Sequence, residues 1–249
     1  MTTLNFGFPS IRPLMGEKQE LSLGDKVLIR SPSHCFKSGF ALSLVGQLSL
    51  MNNQPEEKQI FVVFAINESH NAIVRFIEKN ISANRNGGAT QSNSEILVLS
   101  NYSREHTAGQ FTLALKDAVR LKQGKLTGVL VDNIDGYVDE HGGSAEESVF
   151  NEINAAREED GFILLVTKHA TMAFHDPHKP FGGYPENNTC QMSGTLSHDE
   201  NYDHSFLLDV TYPSIEHDVK HLHLMNHRKP ELGVVSIPFD EHKTIPWDA

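Results

Sequence analysis

The sequence predicts an α/β fold, with a central, mostly parallel sheet flanked by helices and antiparallel strands at the C-terminal edge. Three observations predict it. Short, continuous apolar runs rich in branched residues recur at 27–30, 60–66, 96–99, 128–131 and 162–167, the pattern of strands buried on both faces. Between them lie helical periods: Ala41, Leu44, Val45 and Leu48; Ile73, Phe76 and Ile77; Phe111, Leu115 and Ala118; Val149, Ile153 and Ala156. Such alternation reads as stacked βαβ units. After Phe162 the character changes, and the runs at 206–211, 220–225 and 234–239 follow without long helical segments between them, as antiparallel additions to a sheet edge would.

The chain has 249 residues, 39% of them hydrophobic, enough for one substantial core. A single domain over 1–249 is expected, with 1–24 leading into the first strand.

The first strand is the most informative element. In KVLIRSPSHCFKSGFALSLV, starting at Lys26, it runs through a short polar turn straight into an apolar helix. That is the layout of a phosphate-binding loop, in which amides of the turn and first helical turn point at a phosphate. A lysine then reaches the terminal phosphates and a hydroxyl holds magnesium. Lys37 and Ser38 stand where those roles require, and Ser33, His34, Cys35, Phe36 and Gly39 complete the candidate nucleotide contacts. Against the pattern G-x-x-x-x-G-K-[ST], both glycines are replaced, by Ser31 and Phe36.

The second strand, IFVVFAINES, ends on Asn67 and Glu68, of which only the glutamate can accept a proton. The fourth, TGVLVDNID, puts Asp132 at the carboxyl edge of the sheet, where a carboxylate can hold magnesium beside the serine of the loop. The following helix has Ser144 as N-cap, Glu147 as its capping-box partner and Gly161 as its stop. The fifth strand, FILLVTKHA, ends in the polar pair Lys168 and His169. Beyond it, 170–202 is rich in His, Gly, Pro and Asn and too long for an ordinary connection, so a mobile functional loop is expected.

Composition limits the partners. A net charge of −11 argues against coating nucleic acid by bulk electrostatics, so any DNA contact must be local, for instance in a narrow channel between subunits. Two cysteines, Cys35 and Cys190, are too few for a disulfide framework. The N-terminus lacks a basic region followed by an apolar core, and no run approaches membrane-spanning length. A cytoplasmic protein without membrane contact is expected. His217, His221, His223 and His227 invite a metal reading, but no Cys or carboxylate spacing completes a familiar site.

Taken in order, these features resemble the RecA-like motor domain of DnaB-type replicative helicases and are similar to the phage recombinase UvsX. GFPSIRPLM (7–15) followed by SLGDKVLIRSP resembles the family's lead-in to its first strand, and SPSHCFKSGFALSL resembles phage-type loops in which Phe replaces the glycine before the lysine. FAINESHNAIVRFI resembles the segment carrying the water-activating glutamate, which the resemblance assigns to Glu68 or to the position of Asn67. VLVDNID resembles the strand of the magnesium-holding aspartate. FILLVTKHA resembles the strand of the polar sensor, here Lys168 or His169. HLHLMNHRKPELGVVSIPFD resembles the terminal hairpin whose Lys-x-Arg pair reaches the γ-phosphate of a neighbouring subunit; here Asn226-His227-Arg228 keeps the arginine.

The resemblance implies a RecA-like P-loop fold, ATP and Mg2+ as ligands, and a homo-oligomer, ring or filament, acting with replication or recombination proteins in a phage-infected bacterial cytoplasm. It also implies single-stranded DNA held by loops 133–143 and 170–202. In the second of these Phe181 and Tyr184 could stack on bases, whereas the first is acidic. Two functions follow: an ATP-driven motor moving along DNA, or a catalytically weakened nucleotide-binding scaffold of a replication or recombination assembly.

Overall fold

The computed structural model describes residues 3–4, 9–18, 20–32, 35–51, 57–66, 68–84, 93–100, 107–141, 145–170, 201–211 and 220–239. Ser33, His34, Asn67, Ser144, His217 and 171–200 of the expected loop lie outside the described residues. A small antiparallel pair, β1 (Thr3–Leu4) and β2 (Leu21–Ser22), brackets a 3-10 segment, Pro9–Lys18. Then come β3 (Lys26–Ser31), α1 (Lys37–Met51), β4 (Gln59–Ala65), α2 (His70–Asn84), β5 (Ser94–Ser100) and α3 (Ala108–Lys122). The chain continues through β6 (Lys125–Asp132), α4 (Ile134–His141), α5 (Ala145–Asp160), β7 (Ile163–His169), β8 (His204–Thr211), β9 (Lys220–Asn226) and β10 (Val234–Phe239).

All eight apolar runs become strands of one sheet, ordered β10-β9-β8-β3-β7-β6-β4-β5. The pairs from β8 through β5 are parallel, and β9 and β10 extend the sheet antiparallel beyond β8. This is the mostly parallel sheet with an antiparallel C-terminal edge that the sequence predicts. β7 is inserted between β3 and β6, so the carboxyl ends of β3 and β6 face one another across a single strand, with β4 beyond.

Period-2 alternation assigns the sheet's two faces. Val27 and Ile29 of β3, Leu130 of β6, and Ile163 and Leu165 of β7 join α1 and α2 in one core. Their odd-even counterparts Leu28, Val129, Val131, Leu164 and Val166 join α3 and α5 in the other. Each fully buried Leu, Ile or Phe is worth about 1.5–3 kcal/mol, so both cores hold the sheet strongly. Every residue of α1 from Gly39 to Leu50 is buried, as expected of a helix apolar around its circumference. α1 therefore runs through the core, and only its amino end reaches the sheet edge.

The four helical periods become α1, α2, α3 and α5, and Gly161 ends α5 as expected. It adopts φ +73° and donates its amide to the Arg157 carbonyl at 2.7 Å. One segment departs from expectation: 133–143, read as a loop, contains α4. Ile134 and Tyr137, three apart, are buried, and the Tyr137 ring meets Phe111 edge-on at 5.4 Å. Asp135 in the first turn complements the helix dipole. Two turns are too short to show a helical period in sequence.

Candidate functional site

The site is built at the carboxyl edge of the parallel strands. β3 ends at Ser31, and the chain turns through Cys35 and Phe36 before α1 begins at Lys37. The Phe40 amide donates to the Phe36 carbonyl at 2.9 Å, which makes Phe36 the N-cap and leaves the amides of Lys37, Ser38 and Gly39 without intrahelical acceptors. No acidic residue occupies this first turn. Free amides and the positive end of a helix dipole favour an anion there.

Phe36 stands where the motif has glycine, yet it adopts φ +65°, the left-handed conformation that glycine takes without strain. Its ring packs edge-on against Phe76 of α2 at 5.9 Å between centroids. It also overlies Gly39, where a Cβ would stand 2.4 Å from the ring's Cε2 and Cζ. The missing glycine has in effect moved three residues along, and the loop shape is kept by side-chain packing.

Ser38 and Asp132 meet across the edge. Asp132 ends β6, is only 1% exposed, and stands close enough to the Ser38 side chain for that group to favour its charged form. Its Oδ1 also accepts from Thr167 Oγ1 at 2.7 Å, and Thr167 Oγ1 accepts in turn from the Asn133 amide at 2.6 Å. Burial pushes the Asp132 carboxyl above its usual range; the hydrogen bond from Thr167, the nearby Ser38 side chain and the charge of Lys37 act against that, while the charge of Glu68 adds to it. Lys37, Ser38, Asp132 and Glu68 therefore share one electrostatic neighbourhood. Two oxygen donors, one a desolvated carboxylate whose charge a cation would relieve, suit magnesium, which completes its shell with phosphate oxygens and water. Glu68 is exposed and lies just before Ser69, whose hydroxyl caps α2 by accepting from the Ala72 amide at 3.3 Å.

Thr167 is the residue that sequence reasoning missed. Its signal is positional: on FILLVTKHA it shares a strand face with Ile163 and Leu165, which pack towards α1, and it is fully buried. Lys168, one of the two residues expected as the sensor, faces the opposite side because adjacent strand residues alternate. There its Nζ pairs with Glu146 of α5 at 2.5 Å, so it is not brought to the phosphate loop. By the same alternation His169 returns to the α1 side; its side chain is exposed and its amide is accepted by Asp135.

Arg228 lies elsewhere. Asn226 pairs with Phe206 near the start of β8, which places the β9–β10 turn at the amino edge of the parallel strands, away from Lys37. Asn226 shapes the turn: its Oδ1 accepts the amides of Arg228 and Lys229 at 3.0 and 3.1 Å, and its Nδ2 donates to the Leu14 carbonyl at 2.7 Å. The Arg228 guanidinium donates to the Tyr202 carbonyl. Within one chain Arg228 and the phosphate loop do not meet.

No protein-family model matches this sequence, and no curated protein matches it. Among solved structures it is similar to a KaiC-like protein from the hyperthermophilic archaeon Pyrococcus horikoshii OT3, with 15% identity, a TM-score of 0.58, and 98% of each chain covered. At that identity the likeness is one of fold. It agrees with the strand order, the inserted β7 and the antiparallel edge, and the fold is RecA-like.

Proposed function

We propose that this chain is a RecA-like P-loop protein that binds ATP with Mg2+ and, as an oligomer, uses ATP hydrolysis to move single-stranded DNA in the manner of DnaB-type replicative helicases. The observation that carries the nucleotide reading is the approach of the Ser38 side chain to the buried Asp132 carboxyl, whose charged form it favours. It brings a first-turn hydroxyl and a strand-end carboxylate together beside Lys37, on a fold where they come from distant segments.

In this reading the amides of Lys37, Ser38 and Gly39 bind phosphate oxygens, and the Lys37 ammonium neutralises the terminal phosphates. Ser38 and Asp132 hold magnesium, which when bound supplies positive charge where negative charge develops on the phosphates. Thr167 keeps the Asp132 carboxylate aimed. Glu68 takes the proton of the attacking water as its oxygen bonds to the γ-phosphorus and the bond to the β,γ-bridging oxygen breaks. Arg228, remote from its own phosphate loop, serves the loop of a neighbouring copy.

A second reading, a nucleotide-holding scaffold with weak turnover, is favoured by a specific observation. Both Lys168 and Arg228 are engaged within their own chain, with Glu146 and Tyr202 respectively.

The test is ATP turnover with and without single-stranded DNA, run beside a titration with a fluorescent ATP analogue. Stimulated turnover supports the motor, and tight binding without turnover supports the scaffold. Lys37→Ala should weaken analogue binding roughly 10- to 100-fold, the worth of a charge-assisted hydrogen bond. Unchanged affinity in that variant would remove the phosphate-loop assignment.

A further inference from the structure

We propose that Phe76, on α2 and outside the ring of candidate ligands, is the positioning residue that holds the phosphate loop in its binding shape, acting through Phe36. The inference rests on the nucleotide reading above. A bulky residue at φ +65° is an outlier, and such a conformation persists only where its surroundings over-determine it. The seat of the Phe36 ring supplies that constraint, with the Phe76 ring edge-on at 5.9 Å on one side and the bare Cα of Gly39 on another. A glycine at position 36 would need no such support, because it occupies this region freely.

The backbone explains why the seat matters for phosphates. Phe36 immediately precedes Lys37, and its carbonyl is the first acceptor of α1, bonded to Phe40. If the ring lost its seat, φ would relax to the negative region and the peptide between Phe36 and Lys37 would rotate. The Lys37 amide would turn away from the anion position with it.

Phe76 is in turn fixed by helix packing. Ile73 and Ile77, one turn and one residue away, are buried in the core shared with α1. The Phe76 carbonyl accepts from Asn80 Nδ2 at 3.1 Å, and Asn80 Oδ1 accepts from Ser43 of α1 at 3.4 Å. The helix that seats the loop is also the one that starts just beyond Glu68, so a single contact aligns phosphate binding with the proton acceptor.

The test measures ATP-analogue affinity and thermal midpoint for the unmodified chain, Phe76→Ala, Phe76→Leu, Phe36→Gly and the Phe36→Gly/Phe76→Ala double variant. Phe76→Ala should weaken binding about tenfold, the ratio to which a left-handed backbone penalty converts, and Phe76→Leu should recover most of it. In the Phe36→Gly background Phe76→Ala should cost less than about twofold, because the ring it supports is gone. An equal loss in both backgrounds would show that Phe76 acts only through general stability, and the inference falls while the nucleotide reading stands. No binding by the unmodified chain removes both. If Phe76→Ala does not fold, Phe76→Val takes its place: it should weaken binding when Phe36 is present and not in the Phe36→Gly background, and a loss independent of Phe36 overturns the proposal.

Discussion

Asp132 is a carboxylate whose charge the ligand-free protein does not fully stabilise. Burial raises its pKa above the usual 3.8, and the Thr167 hydrogen bond, the Ser38 side chain and the charge of Lys37 offset only part of that. A raised folded-state pKa means that the folded state binds more protons than the unfolded one. Stability therefore falls as pH rises through the window above 3.8 and returns on acidification. Ionising this carboxyl costs stability that a bound cation would repay. Asp132→Asn should accordingly raise the thermal midpoint of the ligand-free protein by about 2–4 °C while abolishing the magnesium-dependent part of ATP affinity. A lowered midpoint with magnesium dependence intact would contradict both halves of the argument. Cys35 lies in the turn just before α1. Burial and the Asp209 carboxylate push its thiol up to about 11, and it donates to Asp209 Oδ1 at 3.6 Å, so at neutral pH it is a protonated packing group and not a nucleophile.

At the scale of elements, the antiparallel edge carries its own pH sensitivity. His223 of β9 lies opposite Ser236 of β10, and its Nδ1 is 2.7 Å from Ser236 Oγ. Burial, then the neighbouring His221, lower its pKa from 6.5 to about 4. A histidine held neutral in the fold and protonated when unfolded loses stability as pH falls from 6.5 to about 4, with nothing further lost below. The loss approaches roughly 3 kcal/mol. Denaturant titrations across that window should show it, and His223→Gln, which keeps a polar partner for Ser236, should flatten the profile; a slope unchanged in that variant would place the acid sensitivity elsewhere. Asp132 acts with the opposite sign, so the histidine term is measured best against the Asp132→Asn background. These elements also show what was legible in advance. The strands β3, β4, β6 and β7 announced themselves because each is a branched apolar run buried on both faces, and Lys37, Ser38 and Asp132 because strand ends in such sheets converge on one edge. α4 stayed hidden since two turns carry too little period. Thr167 was overlooked in favour of Lys168, although alternation from Ile163 and Leu165 points to it. The role of Gly39 could not be read from order alone, because what requires it is a ring three residues away folded back onto it.

On the scale of the whole molecule, the candidate site residues lie on opposite edges of one sheet. Lys37, Ser38, Asp132 and Glu68 gather at the carboxyl edge, whereas Arg228 projects from the β9–β10 turn at the amino edge. If Arg228 completes the site of another copy, turnover per chain should rise with protein concentration. Arg228→Ala should then lower turnover without weakening ATP binding, and Lys37→Ala chains should restore activity to Arg228→Ala chains when mixed. Turnover proportional to concentration and indifferent to Arg228 would leave each chain working alone. A further consequence follows from the insertion of β7 between β3 and β6. During synthesis the first strand and its phosphate loop leave the ribosome long before the strand that must sit beside them, and the Ala170 amide that bonds Ser31 leaves later still. Until then β3 and β6 are waiting edges, sticky to any extended peptide. The candidate site is thus a late product of biosynthesis, and a nascent chain halted before residue 163 carries β3 and Lys37 without the strands that flank them.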